Sequence, residues 1–317
     1  MTMLRADMHV HSLYSRENHD LAFLRSRDCY SDPEAVYRVA RARGMDLVTI
    51  TDHDSIDGCK AFLDRHPDAA DFIVGEEVSC RMPDADLDVH IGVYGHAEAL
   101  HWELQSLRAN VFDVCARSRQ AGVVFTLNHL WHFYQPGVPV SDYLRLLLEV
   151  PAVEVRNGAM LAAHNDLVER IAQSSTGSWA MVGGSDAHTL RRVGTTWTEA
   201  PGATREEFLE SLRERRSVAR GRHGGTAALA ADVYGVVGRY VGSLVGRGPR
   251  DHSPIERVAF LAFSLCSVPA QFIPLLAAGL SKRGERRKIE RVIEELAPWL
   301  HDQASGKRRA LMAEVME

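Results

Sequence analysis

The sequence predicts an α/β fold with the spacing of a barrel. Apolar strand-like runs near 4–10, 46–51, 72–78, 87–94, 122–128, 152–156 and 179–183 alternate with helical patterns at about 32–43, 97–120, 140–149, 163–174 and 204–216. Several runs, such as Leu47-Val48-Thr49-Ile50 and Gly122-Val123-Val124-Phe125, are almost continuously apolar, as parallel strands buried on both faces are. Histidines and carboxylates gather where these runs stop, and in such barrels chemistry collects at the carboxyl ends of the strands. At 317 residues, 45% hydrophobic and 25% charged, the chain can bury a substantial core. It fits one barrel domain, 1–225, with an appendage, 226–317.

The individual elements have local reasons. The amino terminus, Met1-Thr2-Met3-Leu4-Arg5-Ala6-Asp7, runs straight into the first strand without an apolar signal region, which argues against secretion. Ser31-Asp32-Pro33-Glu34 is a helix start, with Asp32 as cap and Pro33 as first helical residue. Five cysteines (Cys29, Cys59, Cys80, Cys115, Cys266), an odd number with no C-x-x-C pair, suggest no disulfide framework and fit a reducing cytoplasm. Residues 1–225 carry 24 Lys+Arg against 32 Asp+Glu, a balance that repels a long nucleic acid and favours small substrates.

Six of the fifteen histidines stand at the ends of the expected strands, with acidic residues beside them. The motifs are Asp7-Met8-His9-Val10-His11, Thr51-Asp52-His53-Asp54, Gly75-Glu76-Glu77-Val78-Ser79, Asp88-Val89-His90, Leu127-Asn128-His129 and Gly184-Ser185-Asp186-Ala187-His188. A lone strand-end histidine is more often a satisfied core or surface residue than a ligand. Recurrence reverses that weighting. His9 and His11, at i and i+2, face the same side of one strand and can chelate one ion, and Asp186 and His188 can act together in the same way. An imidazole offers one neutral nitrogen and a carboxylate can bridge two cations, so the pattern reads as a cage for several divalent ions in a hydrolase.

The ordered motifs H-x-H, T-D-H-D, G-x-E-V-S, an isolated His, N-H and G-S-D-A-H resemble those of the PHP (polymerase and histidinol phosphatase) family of metal-dependent phosphoesterases, over about residues 4–222. The resemblance implies a distorted barrel of seven β/α units with two or three Mn, Fe or Zn ions at its mouth, hydrolysing a phosphoester with metal-activated water. It implies that His9, His11, Glu77 and Asp186 hold one ion. Glu77 would bridge to a second, bound also by His90 and His129, while His53 and His188 would hold a third. Asp186, His188, Glu77 and His53 would then be the catalytic set. Glu77 and not Glu76 is the bridge, because the pattern places Glu two residues after Gly; Glu76 then points to the other face. Asp7, Asp52 and Asp54 are expected to orient imidazoles by accepting their distal N–H.

One departure stands out. The family's commonest form has an Asp, a ligand of the third ion, where this chain has Arg16. Glu17, one residue later, is the substitute expected, ahead of His19 and Asp20. Residues 16–30 look like an insertion able to fold over the mouth. Cationic partners for a phosphoryl group are expected from Arg156, Arg191 and Arg192, with His132 lining the pocket and Trp131 as packing.

The tail differs in character, with 13 basic and 10 acidic residues. Between Arg257 and Lys282 lie 24 uncharged residues, followed by a basic cluster. By length this could span a bilayer, but Pro269, Gln271 and Pro274 break it into halves that read better as packed helices, a dimer surface or a membrane-touching element. Residues 285–297 alternate charge and are expected to form a solvated helix. The alternatives to a phosphoesterase are a C–N bond hydrolase of amidohydrolase type using the same cage, and a catalytically idle metal-bearing scaffold acting through its tail. The expected location is cytoplasmic, with possible contact at the inner membrane face.

Overall fold

A computed structural model of the chain describes residues 2–15, 26–83, 85, 87–174, 179–249, 251–266 and 273–304. Seven strands curl around one interior: β1 (Met3–Asp7), β2 (Leu47–Ile50), β3 (Phe72–Met82), β4 (Leu87–Tyr94), β5 (Val124–Leu127), β6 (Ala152–Asn157) and β7 (Ala180–Gly184). Each pairs with the next, in parallel except at β4, which runs antiparallel to both neighbours. The barrel closes just beyond β1. There His11 N donates to Ala187 O (3.1 Å), Asp186 N donates to His9 O (2.8 Å), and Val10 bridges Ala187 in parallel. Gly184 is needed at this seam, since a Cβ there would lie 2.3 Å from the Cβ of His9.

This is the distorted seven-stranded barrel expected, and the distortion has its source in β4. Four residues, 83–86, separate β3 from β4, too few for the crossover that parallel strands require, so the two form a hairpin. Two further strands, β8 (Thr196–Pro201) and β9 (Val218–Gly221), form an antiparallel ribbon on the outer half of β1. The sequence reading did not anticipate them, although Thr196–Pro201 alternates buried and half-buried residues as a strand does. Behind the ribbon, α7 (Arg205–Arg213) sends Phe208, Leu209 and Leu212 to pack with Leu4, Ala6, Met8, Tyr94 and Val182, filling the interior away from the mouth.

Helices α1 (Pro33–Ala42) and α2 (Asp57–Leu63) pack outside β1–β3. Glu34 N donates to the Asp32 carboxylate (3.0 Å), so α1 begins as its sequence predicts. The long helix expected over 97–120 is two, α3 (Glu98–Leu107) and α4 (Val111–Gln120), because Asn110 caps the second through Phe112 N (3.1 Å). With α5 (Val140–Glu149) and α6 (Ala162–Ser174) they cover β3–β7.

The extension is helical, as expected: α8 (Thr226–Leu244), α9 (Pro254–Cys266) and α10 (Ile273–Ala304). Residues 285–297 are not a solvated helix. They lie within α10, and Ile289, Val292 and Leu296 recur every three to four residues as a buried stripe on the barrel's outer core. Charge alternation along the sequence hid this stripe. Polar bonds fasten the same face: Lys282 Nζ donates to Ala159 O (2.7 Å), Leu161 N to Glu285 (2.6 Å), Lys288 Nζ to His132 O (2.9 Å) and Tyr134 Oη to Glu295 (2.6 Å). Among the described residues no helix is long and apolar enough to cross a membrane. Pro269 and Gln271 lie outside those residues, between α9 and α10. Ile255, Val258, Phe263, Leu275, Leu276 and Leu280 are exposed along these two helices.

Leu296→Ala is expected to lower stability by about 2–5 kcal/mol, the usual range for emptying a buried leucine site. Urea unfolding of the full chain measures this. A change below about 0.5 kcal/mol would mean that α10 does not belong to the barrel core.

Candidate metal centre

The strand-end motifs converge at the barrel mouth. Four groups have ligand atoms within 4.8 Å of one another: His9, His11 and Glu77; His9, His129 and Asp186; His53, Glu77 and His90; and His11, Asp28, His53 and His188. They overlap, so the site is one continuous cage. His9 and His11 arrive on the extension of β1, and Glu77 sits within β3, which overshoots the mouth. His90 lies in the first half of β4; because that strand is reversed, its beginning and not its carboxyl end reaches the mouth, contrary to the sequence expectation for all ligands.

Glu77 is the centre. It is fully buried, with one oxygen 3.0 Å from His9 Nε2 and 3.3 Å from His53 Nδ1, the other 3.1 Å from His129 Nε2 and 3.3 Å from His90 Nδ1. Asn128 Nδ2 also donates to it (2.9 Å) and is itself held by Thr126. Asp186 lies 3.6 Å from His9, 3.4 Å from His11 and 3.5 Å from His188. His129 and Asp186 hold their positions with positive φ, 27° and 50°, a conformation that costs energy in non-glycine residues and turns their side chains into the cage. Glu76 points to the other face, as expected, where His101 Nδ1 donates to it (2.6 Å) and His96 lies 2.9 Å away.

Burial works against the charge of Glu77, yet His9, His90 and His53 hold its carboxyl well below the usual range; Asp186 is held low in the same way by His9, His11 and His188. Desolvation opposes a proton on His9 and on His129 as well, but the surrounding carboxylates, Glu77 foremost, outweigh it and raise both pKa values. His11 and His90 move down, chiefly through burial.

The residues that brace the cage differ from those expected. Asp7 accepts from the backbone N–H of Ser185 (2.8 Å) and Gly194 (2.6 Å), Asp52 from Ser12 Oγ (2.7 Å), and Asp54 from Ser79 N (2.9 Å). All three hold the strand ends and loops through these bonds. The imidazole brace is Glu154, a buried residue of β6 that sequence reasoning missed: His9 Nδ1 donates to it (3.0 Å), as do His129 N (3.0 Å) and Asn157 Nδ2 (2.9 Å). A glutamate in the otherwise apolar run Ala152-Val153-Glu154-Val155 was the available signal.

Glu17, His19 and Asp20 lie outside the described residues. Asp28, later in the same insertion, is the carboxylate found beside His11, His53 and His188. The three arginines expected as phosphoryl partners are committed elsewhere. Arg156 pairs with Glu169 (2.9 Å), while Arg191 (3.0 Å) and Arg192 both bind Asp232 of α8. Arg191 still lines a cavity of about 180 Å3 with His188, Tyr30 and Arg239, the last also from α8. His132 is exposed, its ring edge-on to His129 at 5.4 Å, and Trp131 is buried packing.

Comparison with known proteins agrees with this geometry. Residues 162–217 match the family model described as PHP-associated. The fold is similar to that of a two-domain protein from Bacteroides vulgatus containing a predicted PHP-like metal-dependent phosphoesterase, with 19% identity and a TM-score of 0.50, covering 74% of this chain and 70% of that one. It is also similar to PsfC from Pseudomonas syringae, with 18% identity and a TM-score of 0.51, covering 76% and 98% of the two chains. No curated protein matches the sequence. The barrel is thus the fold that these structures share, and residues 162–217 carry the PHP-associated match.

The cage suits divalent cations: imidazoles and carboxylates of low pKa converge in overlapping groups, two of which share Glu77. Because His9 and His129 bind protons more tightly than ordinary imidazoles, and ligation needs them neutral, metal loading near pH 7 is expected to release protons and to weaken as pH falls. Calorimetric titration with Mn2+ or Zn2+ in buffers of different ionisation enthalpy counts them. Glu154→Gln is expected to weaken binding by about 10–100-fold, the range for residues that orient a ligand.

Proposed function

We propose that the protein is a metal-dependent phosphoesterase acting on a small phosphorylated substrate. The observation that carries this is the sharing of Glu77 between two ligand groups, His9–His11–Glu77 and His53–Glu77–His90, which would let two cations lie side by side. Adjacent cations lower the pKa of water from about 15.7 toward 7 and offset charge on phosphoryl oxygens. Glu77 would bridge them; His9, His11 and Asp186 would hold one side, and His90 and His129 the other, with His53 left to act beside His188.

The rest of the mouth serves orientation and access. Glu154 keeps His9 in one tautomer by accepting its Nδ1–H, and Asn128 fixes the Glu77 carboxylate. His188 is 30% exposed and Asp186 11%, against 6% or less for the side chains of the other cage histidines and Glu77, so substrate would enter on the His188 side. There Arg191 and Arg239 line the adjoining cavity and supply positive charge for an anionic group. A long nucleic acid is disfavoured by the excess of acidic residues over residues 1–225.

The test is a screen of the metal-loaded full chain against phosphomonoesters, phosphodiesters and nucleotides, with phosphate release as readout and ammonia release from amide substrates as the control. Activity is expected with Mn2+ or Zn2+, lost on chelation, and reduced more than about 100-fold in Asp186→Ala and His9→Ala. Arg239→Ala is expected to raise KM about tenfold, the loss of one charge-assisted contact, at unchanged metal content. Ammonia release without phosphate release would overturn the assignment.

A further inference from the structure

We propose that Asp28 is the carboxylate of a third cation position, and that the C-terminal extension sets its place through the Arg27–Asp251 ion pair. This rests on the cage holding metal, as proposed above, but not on any substrate.

The third position is where the sequence departs from the motifs it resembles, with Arg16 standing where the commonest form has an Asp. An ion held by His53 and His188 alone would keep its full charge in a largely buried site. Asp28 answers that need geometrically. Its Oδ2 lies 3.8 Å from His188 Nε2 and belongs to the group whose ligand atoms fall within 4.8 Å of one another. That oxygen is buried and accepts no hydrogen bond among the described residues, while Oδ1 accepts from Cys29 N (2.8 Å). The carboxylate is thus pinned by one oxygen and presents the other, desolvated, to three imidazoles. A buried acceptor without a donor is unfavourable unless a cation completes it.

Both neighbours of Asp28 are fastened. On one side, Cys29 Sγ donates to His11 O (3.2 Å), tying the segment to the strand that carries two cage histidines. On the other, the Arg27 guanidinium grips Asp251 with two parallel bonds, Nε to Oδ2 and Nη2 to Oδ1, both 2.7 Å, and its remaining arm donates to Leu13 O. Arg27 N also donates to Tyr30 Oη (3.1 Å). Asp251 lies in the connection between α8 and α9, outside the barrel. At this corner the extension bears on Asp28 through Asp251, the bidentate pair fixing Arg27 and Arg27 fixing the backbone of Asp28. In this role Arg27 and Asp251 are positioning residues; neither touches the cage histidines.

Metal content after equilibrium dialysis of the full chain against graded Mn2+ or Zn2+ tests the proposal without reference to turnover. Wild type is expected to hold three ions, and Asp28→Asn two. Asp251→Asn is expected to keep three at high metal but to weaken the third by about 10–100-fold, with Asp251→Glu restoring it. Melting of the metal-free variants shows whether each is folded, and the surface substitution Asp251→Asn keeps the test open if Asp28→Asn does not fold. Three ions retained at wild-type affinity in Asp28→Asn would overturn the ligand assignment. Loss of the third ion in Asp28→Asn but unchanged affinity in Asp251→Asn would overturn the role of the extension. Wild type that binds no ion would overturn the cage itself, and wild type with three ions but no phosphate release would overturn only the proposed reaction.

Discussion

A carboxylate with no exposure to water sits at the mouth of this barrel, and the surrounding structure is arranged to keep it there. Glu77 is surrounded by His9, His53, His90 and His129, delivered by four different strand ends. Removing a carboxylate from water is costly, and only neighbouring positive charge or several donors offset it. Imidazoles can supply part of that charge, and the surrounding carboxylates raise the proton affinity of His9 and His129. Cations would supply it more strongly. The same clustering of carboxylates and imidazoles is what suits the cage to divalent ions.

Much of this was legible in the sequence because metal chemistry uses few residue types at rigid spacings. His9-Val10-His11 and Asp186-Ala187-His188 announced shared faces through a period of two, and the seven apolar runs match the seven barrel strands. Separating Glu77 from Glu76 rested on the resemblance, whose pattern places Glu two residues after Gly75; strand alternation then sends Glu76 to the other face. What the sequence could not give was direction in space. A hairpin and a crossover differ only in linker length, so the reversal of β4, and with it the route by which His90 reaches the mouth, stayed hidden. Arg156, Arg191 and Arg192 read as phosphate partners by position alone, whereas long side chains choose among all nearby acceptors, and Glu169 and Asp232 were nearer. Glu154 was overlooked because a single buried acid in an apolar strand carries no motif.

The extension also altered in meaning once its contacts were visible. Its sequence suggested a separate surface element, yet α10 contributes Ile289, Val292 and Leu296 to the barrel's outer core and α8 gathers Thr189, Arg191 and Arg192 around Asp232. These three barrel residues directly follow the Asp186-Ala187-His188 motif. Helices that looked peripheral by composition are built into the segment from which two cage residues project.

The seam between β1 and β7 carries one more consequence. The backbone bonds that shut the barrel run from Asp186 to His9 and from His11 to Ala187, so the rungs of the final stave are made by the cage residues themselves or their immediate neighbours. Away from the mouth β1 turns to β8 instead, and the interior is filled by α7. The cylinder is hooped at one end only. An ion clamped between His9, His11 and Asp186 would span that seam from the side-chain face while the peptide groups span it from the backbone. Loading the cage and latching the cylinder would then be a single thermodynamic event, with cohesion of the whole wall set by the occupancy of its rim.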